Sequence, residues 1–185
     1  MDIFKMYLRY ALYVLLDLAM TVIGLFVIPL GLLFCITDKR TGKDVHMGLL
    51  WWPWDNAWDG INYLGYGTGF WERWRWLAIR NHTRNFGAFI LGVEKPLGYR
   101  LIGDPLTTDG VIGQATPDVP GSGHEGWKRL DTTINGKDYF LFYLIYQYPF
   151  RKDKCLRLKL GWKLDTGTDR AEITYTPNPW KGFAA

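Results

Sequence analysis

An uncharged, mostly apolar run from residue 18 to residue 37 limits how this chain can fold more than any other feature. About 20 such residues in a helix match the hydrocarbon thickness of a bilayer, because a helix rises about 1.5 Å per residue. Gly24, Pro29 and Gly31 interrupt the run, and such residues occur both in membrane helices and in bent helices buried in an assembly. The run predicts a transmembrane-like helix, with a protein-buried helix of an oligomer as the alternative.

The same region does not have the pattern of a cleaved signal peptide. The wider apolar stretch of residues 10–36 is longer than a signal-peptide core and contains Asp17. It is followed by the charged segment 38–43 and not by a small-residue cleavage site. We therefore expect the N-terminal helix to be retained as an anchor.

Tryptophan is concentrated shortly after the apolar run. Of the chain's ten tryptophans, seven lie in what we call the tryptophan segment, residues 51–76: Trp51, Trp52, Trp54, Trp58, Trp71, Trp74 and Trp76. Tryptophan favours the boundary between membrane and water, because its ring is apolar and its N–H is polar. We expect these residues to make membrane-interface or assembly contacts.

Residues 70–81 have the spacing of a short helix whose flank is basic. Phe70 and Trp74 share one side, and a basic face follows from four arginines: Arg73, Arg75, Arg80 and Arg84. Asn85, Phe86 and Gly87 are expected to end this helix. The rings are expected to pack on the rest of the protein while the arginines face water, and contact with lipid head groups or a nucleic-acid backbone is the alternative.

Beyond this point the period changes from helical to two, which is typical of strands. Short strands are predicted at 88–93, 99–103 and 171–176, with a long loop at 104–126. Asn135-Gly136 separates predicted strands at 127–134 and 139–148, and this dipeptide supplies the positive φ values that a two-residue hairpin turn needs.

The strand at 139–148 is apolar on both sides. Phe140, Phe142 and Leu144 lie on one side, and a predicted β interaction face lies on the other: Tyr139, Leu141, Tyr143 and Ile145. One side can join the domain core, so the other must be covered by the short helix, the tryptophan segment or a neighbouring subunit.

The segment 155–164 alternates without interruption between apolar and basic residues. Leu156, Leu158, Leu160, Trp162 and Leu164 are expected to face the core, whereas Arg157, Lys159 and Lys163 are expected to form a basic outer face. Cys155 lies in this predicted strand and Cys35 in the apolar run, so the two cysteines indicate no disulfide framework.

Several short motifs together resemble a family of small tailed-bacteriophage proteins of unknown function. The resemblance covers residues 49–164 and is carried by Asp55-Asn56, Asp59-Gly60, Arg80-Asn81, Arg84-Asn85-Phe86-Gly87 and Gly161-Trp162-Lys163-Leu164. It implies a phage origin and, because the family has no established activity, no catalytic residue.

No motif predicts chemistry. Asp55, Asn56 and Asp59 resemble the start of a calcium loop, but Ala57 and Tyr66 occupy positions that need oxygen ligands. Ser122, near His124, lacks the GxSxG context of a hydrolase nucleophile. The net charge of +4 is not clustered into a nucleic-acid-binding stripe. We predict no catalytic residue, no metal, no cofactor and no specific nucleic-acid partner.

The sequence thus predicts an α+β protein with a hydrophobic anchor (1–44), a tryptophan-rich linker with a short helix (45–87) and a small antiparallel β domain (88–185). We expect a non-enzymatic structural component of a tailed-phage particle, in the tail, connector or ejection apparatus. Its partners are copies of itself and other phage structural proteins, and its helix packs in an assembly or inserts in the membrane. The alternative is a phage-encoded inner-membrane protein of the infected host cell.

Overall fold

The protein is an α+β chain with a long apolar N-terminal helix, short helices and antiparallel sheets. A computed structural model describes residues 2–33, 36–37, 44–45, 69–75, 85–103, 125–165 and 169–182. By contacts the chain forms two compact units. One comprises Met1–Tyr10 with Val93–Ala185, and the other comprises Ala11–Gly92. The first residues of the chain therefore belong with the sheet and not with the rest of the N-terminal region.

Helix α1 spans Ile3–Leu33 and begins fifteen residues earlier than the uncharged run that predicts it. Its first turn is closed by Asp2, whose carboxylate accepts a hydrogen bond from the Lys5 backbone N–H at 3.2 Å. Pro29 lies inside the helix, where it cannot donate the usual bond to the carbonyl four residues earlier. A minimal antiparallel pair follows, formed by β1 (Ile36–Thr37) and β2 (Asp44–Val45).

A five-stranded antiparallel sheet contains most of the C-terminal half. Its order is β4 (Arg100–Gly103), β5 (Gly126–Ile134), β6 (Lys137–Tyr148), β7 (Arg151–Trp162) and β9 (Ile173–Gly182). A second small pair is formed by β3 (Val93–Glu94) and β8 (Arg170–Ala171). Strands that follow one another in sequence pair directly, apart from the short detour through β8 between β7 and β9.

The β5–β6 hairpin confirms the prediction made from Asn135-Gly136. Asn135 has φ +51° and Gly136 has φ +72°, the left-handed values that a two-residue turn requires. The register pairs Ile134 with Lys137 across this turn. The predicted strand at 99–103 corresponds to β4, and the one predicted at 171–176 is divided between the end of β8 and the longer edge strand β9.

The strand predicted at 88–93 is wrong over most of its length, because Phe86–Ile90 forms a π-helical turn. Only Val93 of that segment is in a strand. The expected end of the short helix at residues 85–87 is also wrong, since Asn85 already has helical backbone angles. Helix α2 is Phe70–Trp74, and the predicted continuation over 76–81 lies outside the described residues. A short apolar run does not by itself distinguish a strand from a buried helical turn.

Strand β7 approaches β6 most tightly at Gly161 near its end. Its φ of +101° is a left-handed value, and a Cβ built on it would lie 2.1 Å from the Phe140 carbonyl oxygen. Any side chain would therefore both strain the backbone and collide with β6. The next residue, Trp162, is completely buried, so the close approach at Gly161 positions the largest side chain of the core.

Candidate functional site

Helix α1 has two different faces beyond Tyr10. Roughly half of its circumference, which we call the exposed arc, is apolar and open: Leu12, Leu15, Leu16, Leu18, Val22, Ile23, Phe26, Leu30 and Leu33. The opposite side is covered, with Asp17, Gly24, Ile28 and Leu32 buried. Of the most apolar stretch of 18 residues in α1, only 17% is buried. A core helix of a water-soluble domain would be mostly buried, so this helix presents an apolar surface outward.

A tryptophan from the tryptophan segment closes a gap that proline leaves in α1. The Leu25 carbonyl would normally accept a hydrogen bond from residue 29, which is proline and has no N–H. The indole Nε1 of Trp74 donates to this carbonyl oxygen at 3.4 Å. In an apolar setting a freed backbone carbonyl needs such a partner. The Pro29–Trp74 pair therefore ties α2 to the covered side of α1.

The start of α1 is held against the sheet by a different kind of contact. The Arg9 guanidinium lies over the Tyr139 ring at 4.5 Å and over the Trp162 ring at 5.5 Å. Its Nη2 also donates to the Asp138 carbonyl oxygen. A guanidinium can stack on rings and donate at its edge at the same time. Arg9 thus joins the helix to one end of the sheet, where β6 begins and β7 ends.

Two tyrosines complete this contact. Tyr10 packs edge-on against Phe140 and Trp162, with ring centroids 5.2 and 5.6 Å away, and its hydroxyl donates to the Thr174 carbonyl at 2.8 Å. Tyr7 packs against Phe140 at 5.1 Å. We call the contact of Tyr7, Arg9 and Tyr10 with these rings the aromatic clamp. These contacts attach the first turns of α1 to the sheet.

Asp131 anchors the polar edge of the clamp. This buried carboxylate lies 2.7 Å from Arg129 Nε and 3.1 Å from Arg100 Nη2. Arg129 Nη1 in turn donates to the Tyr7 hydroxyl at 2.9 Å. Burial alone would lower the pKa of Arg129, but the hydrogen bond and charge of Asp131 outweigh it and raise that pKa. An open groove of about 610 Å³ adjoins Arg100 and Asp131, whose charges are already paired with each other.

A second charged cluster lies on the other side of the sheet. Lys128, Tyr143 and Lys159 are directly opposite one another on β5, β6 and β7. Asp165 reaches Lys128 Nζ at 2.8 Å and Lys159 Nζ at 3.8 Å, and Lys159 lies 5.3 Å from the Tyr143 ring centre. We call these residues the lysine–aspartate cluster. The two amines share one carboxylate, whose negative charge partly balances their two positive charges.

The pKa shifts in this cluster follow from burial and charge. Burial raises the pKa of Asp165, but the hydrogen bond from Lys128 and the charge of Lys159 lower it more, so the net shift is downward. Burial lowers the pKa of Lys159 despite Asp165. Burial raises the pKa of Tyr143 and of the Cys155 thiol. Both of the last groups are therefore held in their protonated, weakly nucleophilic forms.

The comparisons with known proteins add a family but no activity. A family model described as DUF7338, a family of unknown function, matches residues 1–185. The chain belongs to this family. No curated protein and no solved structure matches it. Within the part of the chain that the structure describes, no group of three or more metal-ligating side chains comes together.

The predicted contact residues of the tryptophan segment are described only in part. Trp71 is exposed and Trp74 is half-buried, with their ring centroids 6.0 Å apart. Of the predicted basic face, Arg75 is exposed. Arg73 belongs to α2, but its side chain is outside the described residues, as are Trp51, Trp52, Trp54, Trp58, Trp76, Arg80 and Arg84. The contact of these side chains with membrane or partner stays a prediction.

Both sides of β6 contribute buried residues, as its two apolar sides predict. In the predicted interaction face, Leu141 and Ile145 are buried and Tyr139 and Tyr143 are half-buried. Of the expected basic outer face, Arg157, Lys159 and Lys163 are half-buried, and Lys159 is paired with Asp165. On the opposite side Phe140 is buried under the aromatic clamp, but the sheet is more open from Phe142 onward, where Phe142, Leu144, Leu156, Leu158 and Leu160 are half-buried. Trp162 and Leu164 are core residues as predicted.

The aromatic clamp and the lysine–aspartate cluster are contacts that sequence reasoning misses. Arg9 and Asp138 are 129 positions apart, and no local periodicity links positions so distant. The first ten positions mix basic and aromatic residues, but this mixture also flanks ordinary membrane helices and does not indicate a contact with the sheet. For the lysine–aspartate cluster, strict alternation predicts that Lys159 faces water. Only the position of Asp165 shows that Lys159 is paired.

Proposed function

We propose that the protein is a non-enzymatic membrane protein of the phage-infected cell, which acts through contact surfaces on the host inner membrane. The observation that carries this proposal is the exposed arc of α1. Nine large apolar side chains on one face, each about half or more exposed, would cost roughly 1 kcal/mol each if they stayed in water. Lipid is the environment that removes this cost over the whole length of the arc.

The tryptophan segment and the aromatic clamp support the same proposal. Trp71 is exposed close to Trp74, which contacts the covered side of α1, as suits a ring at a membrane surface. The clamp holds the start of the helix on a folded domain, so the helix acts as the attachment of that domain. Phage origin rests on the sequence resemblance. Lysis, exclusion of further phage and membrane remodelling are the processes in which such a protein would act.

Fractionation of cells that express the full chain tests the proposal. We expect the protein in the membrane pellet after an alkaline carbonate wash, which strips proteins held only by charge. Release of the protein into the supernatant by the wash, in folded form, would contradict membrane insertion. The same fractionation in detergent should bring it into solution, which distinguishes insertion from aggregation.

The second candidate is a structural component of a tailed-phage particle, and the open side of the sheet favours it. Phe150, Trp180, Tyr146 and Trp127 are exposed at or near this sheet, and apolar surface of this extent suits docking on copies of the same chain or on other phage structural proteins. Quantitative mass spectrometry of purified particles distinguishes the candidates. Several copies in each particle would favour the virion role, and absence from particles would exclude it.

A further inference from the structure

The chain segments that precede residue 11 and follow residue 92 belong to the same compact unit. Residues up to Tyr10 are fixed to the sheet by the aromatic clamp, and from Val93 onward the chain belongs to that same unit. Residues 11–33 continue the same helix for about 35 Å and belong to the other unit. If this helix crossed a membrane completely, the chain between residues 34 and 92 would have to cross it again to rejoin the sheet.

The connecting segment has no stretch suited to a second crossing. Charged residues occur throughout residues 38–84, and the longest stretch without one runs from 60 to 71. A helical crossing needs about 20 apolar residues, and non-helical backbone does not cross the lipid without partners. A single complete crossing by α1 is therefore incompatible with the fold of the sheet unit.

The residues around the middle of α1 lead to the same conclusion. Trp74 contacts the Leu25 carbonyl, and its neighbour Arg75 is exposed. In a helix that crosses the membrane from residue 11, Leu25 would lie about 20 Å along the crossing, inside the hydrocarbon. An arginine held at that depth would cost at least about 2.5 kcal/mol. At the surface of one leaflet the same arginine would be next to lipid head groups at no such cost.

The distribution of exposure around α1 also fits a helix that lies flat. The exposed arc runs along one side of the helix from Leu12 to Leu33, and the covered side is buried over the same length. A helix lying in the membrane plane needs this division, with one side in the acyl chains and the other away from them. Here protein, and not water, covers the second side.

We infer that α1 lies in the plane of the membrane, inserts its exposed arc into one leaflet, and has its N-terminal and C-terminal ends on the same side of the membrane. This inference rests on the proposed membrane function and specifies its geometry. The ligand of the arc is the acyl region of a single leaflet. The protein would then be attached to one membrane surface and would not connect the two compartments.

Two matched threonine-to-cysteine variants of the full chain test the sidedness. Thr133→Cys marks the sheet at an exposed position of β5, and Thr41→Cys marks the chain after α1. Cys35→Ser removes the second native thiol, and the buried Cys155 is kept as a folding control because it should react only after denaturation. A membrane-impermeant maleimide is applied to intact spheroplasts and to inverted membrane vesicles.

We expect both variants to be labelled from the same side of the membrane. Labelling of Thr41→Cys from the side opposite to Thr133→Cys would overturn the inference while leaving membrane insertion intact. Release of the protein by carbonate would instead contradict the proposed function itself. Reaction of Cys155 without denaturant identifies a misfolded variant, and for that case a depth measurement on α1 decides.

The depth measurement uses nitroxide labels at three positions along the exposed arc: Leu15, Val22 and Leu33. An in-plane helix predicts closely similar depths at all three positions. A crossing helix predicts a maximum depth at Val22 and shallow positions on both sides of it, since the outer labels are about 27 Å apart along the axis. A depth profile with such a maximum would overturn the inference independently of the labelling result.

Discussion

Residues 3–10 and residues 11–33 form one uninterrupted helix, yet the two parts make opposite kinds of contact. The first part is held by a guanidinium, two hydroxyl-bearing rings and backbone carbonyls of the sheet. The second part presents an arc that consists of apolar side chains only. Hydropathy alone therefore does not show which part of such a helix packs on protein and which part is exposed. Its first turns are fixed to a folded domain by Tyr7, Arg9 and Tyr10, although Phe4 and Leu8 in these turns are exposed like the arc.

The largest expected effect comes from charging the exposed arc. Leu15→Lys combined with Val22→Lys should weaken membrane binding on the order of 100-fold or more, because a lysine in the acyl region costs up to about 3 kcal/mol. Co-sedimentation with lipid vesicles measures this binding. The matched control, Leu97→Lys with Phe150→Lys, charges exposed apolar residues of the sheet unit and should leave binding nearly unchanged. An equal loss in both variants would mean that the arc has no special role.

Truncating the core tryptophan tests the sheet side of the comparison. Trp162→Ala should lower the free energy of unfolding by about 3 to 5 kcal/mol, because this ring is completely buried and contacts both the clamp and the sheet. Trp180→Ala removes a ring that is 65% exposed and should cost less than about 1 kcal/mol. Chemical unfolding followed by near-ultraviolet circular dichroism measures both values. Similar losses would contradict the assigned core.

Arg9→Ala tests whether the clamp holds the helix start. It should cost about 2 kcal/mol of stability, because the stacking on Tyr139 and the bond to the Asp138 carbonyl are lost together. Lys5→Ala, which removes only an exposed ion pair with Asp2, should change stability by less than about 0.5 kcal/mol. Membrane binding of the Arg9 variant should stay intact. A loss of binding without a loss of stability would assign Arg9 to the membrane instead.

The lysine–aspartate cluster gives the sheet a pH dependence that the exposed arc lacks. Because the folded pKa of Asp165 lies below its ordinary value of 3.8, its stabilising contribution is complete above that value and is lost as the pH falls below it. Asp165→Asn should cost about 1 to 2 kcal/mol at pH 7, since it leaves two half-buried amines without their carboxylate. The difference from wild type should shrink in acid. A difference that persists undiminished at a pH of about 2 would contradict this origin.

The smallest effect concerns the gap at Pro29. Trp74→Phe should cost about 1 kcal/mol in the wild-type helix, because it removes the donor to the Leu25 carbonyl. In a Pro29→Ala background, position 29 regains a backbone N–H that can bond to that carbonyl, so the same substitution should cost measurably less. A double-mutant cycle of unfolding free energies gives the coupling. Equal costs in both backgrounds would show that Trp74 acts by ring packing alone.

Local patterns predict the elements whose geometry is decided locally. Asn135-Gly136 predicts its hairpin because the turn needs left-handed backbone angles at both positions. The apolar run predicts a helix, because an uncharged apolar run of about 20 residues is too long for a typical strand. The segment 88–90 is predicted wrongly, since a short apolar run fits a buried helical turn as well as a strand.

The candidate site depends mostly on contacts that local patterns do not contain. Strand β6 is apolar on both sides, so alternation identifies two buried surfaces without saying which is better covered, and the structure buries Leu141 and Ile145. From the sequence, Arg9 has the position of a basic residue that flanks a membrane segment, whereas in the structure its partners lie in β6 and β7. From the sequence, Pro29 predicts a bend in the helix. Only the structure shows that Trp74 donates to the Leu25 carbonyl, which proline leaves without its usual partner.

Collision measurements on spin labels at two positions of α1 test the central comparison most directly. A label at Val22, on the exposed arc, is compared with a label at Lys5, in the part held by the sheet, in the full chain bound to lipid vesicles. We predict that the Val22 label collides mainly with oxygen dissolved in lipid and the Lys5 label mainly with a water-soluble nickel chelate. Equal access of the nickel chelate to both labels would show that the arc faces water, and the membrane assignment of α1 would then be wrong.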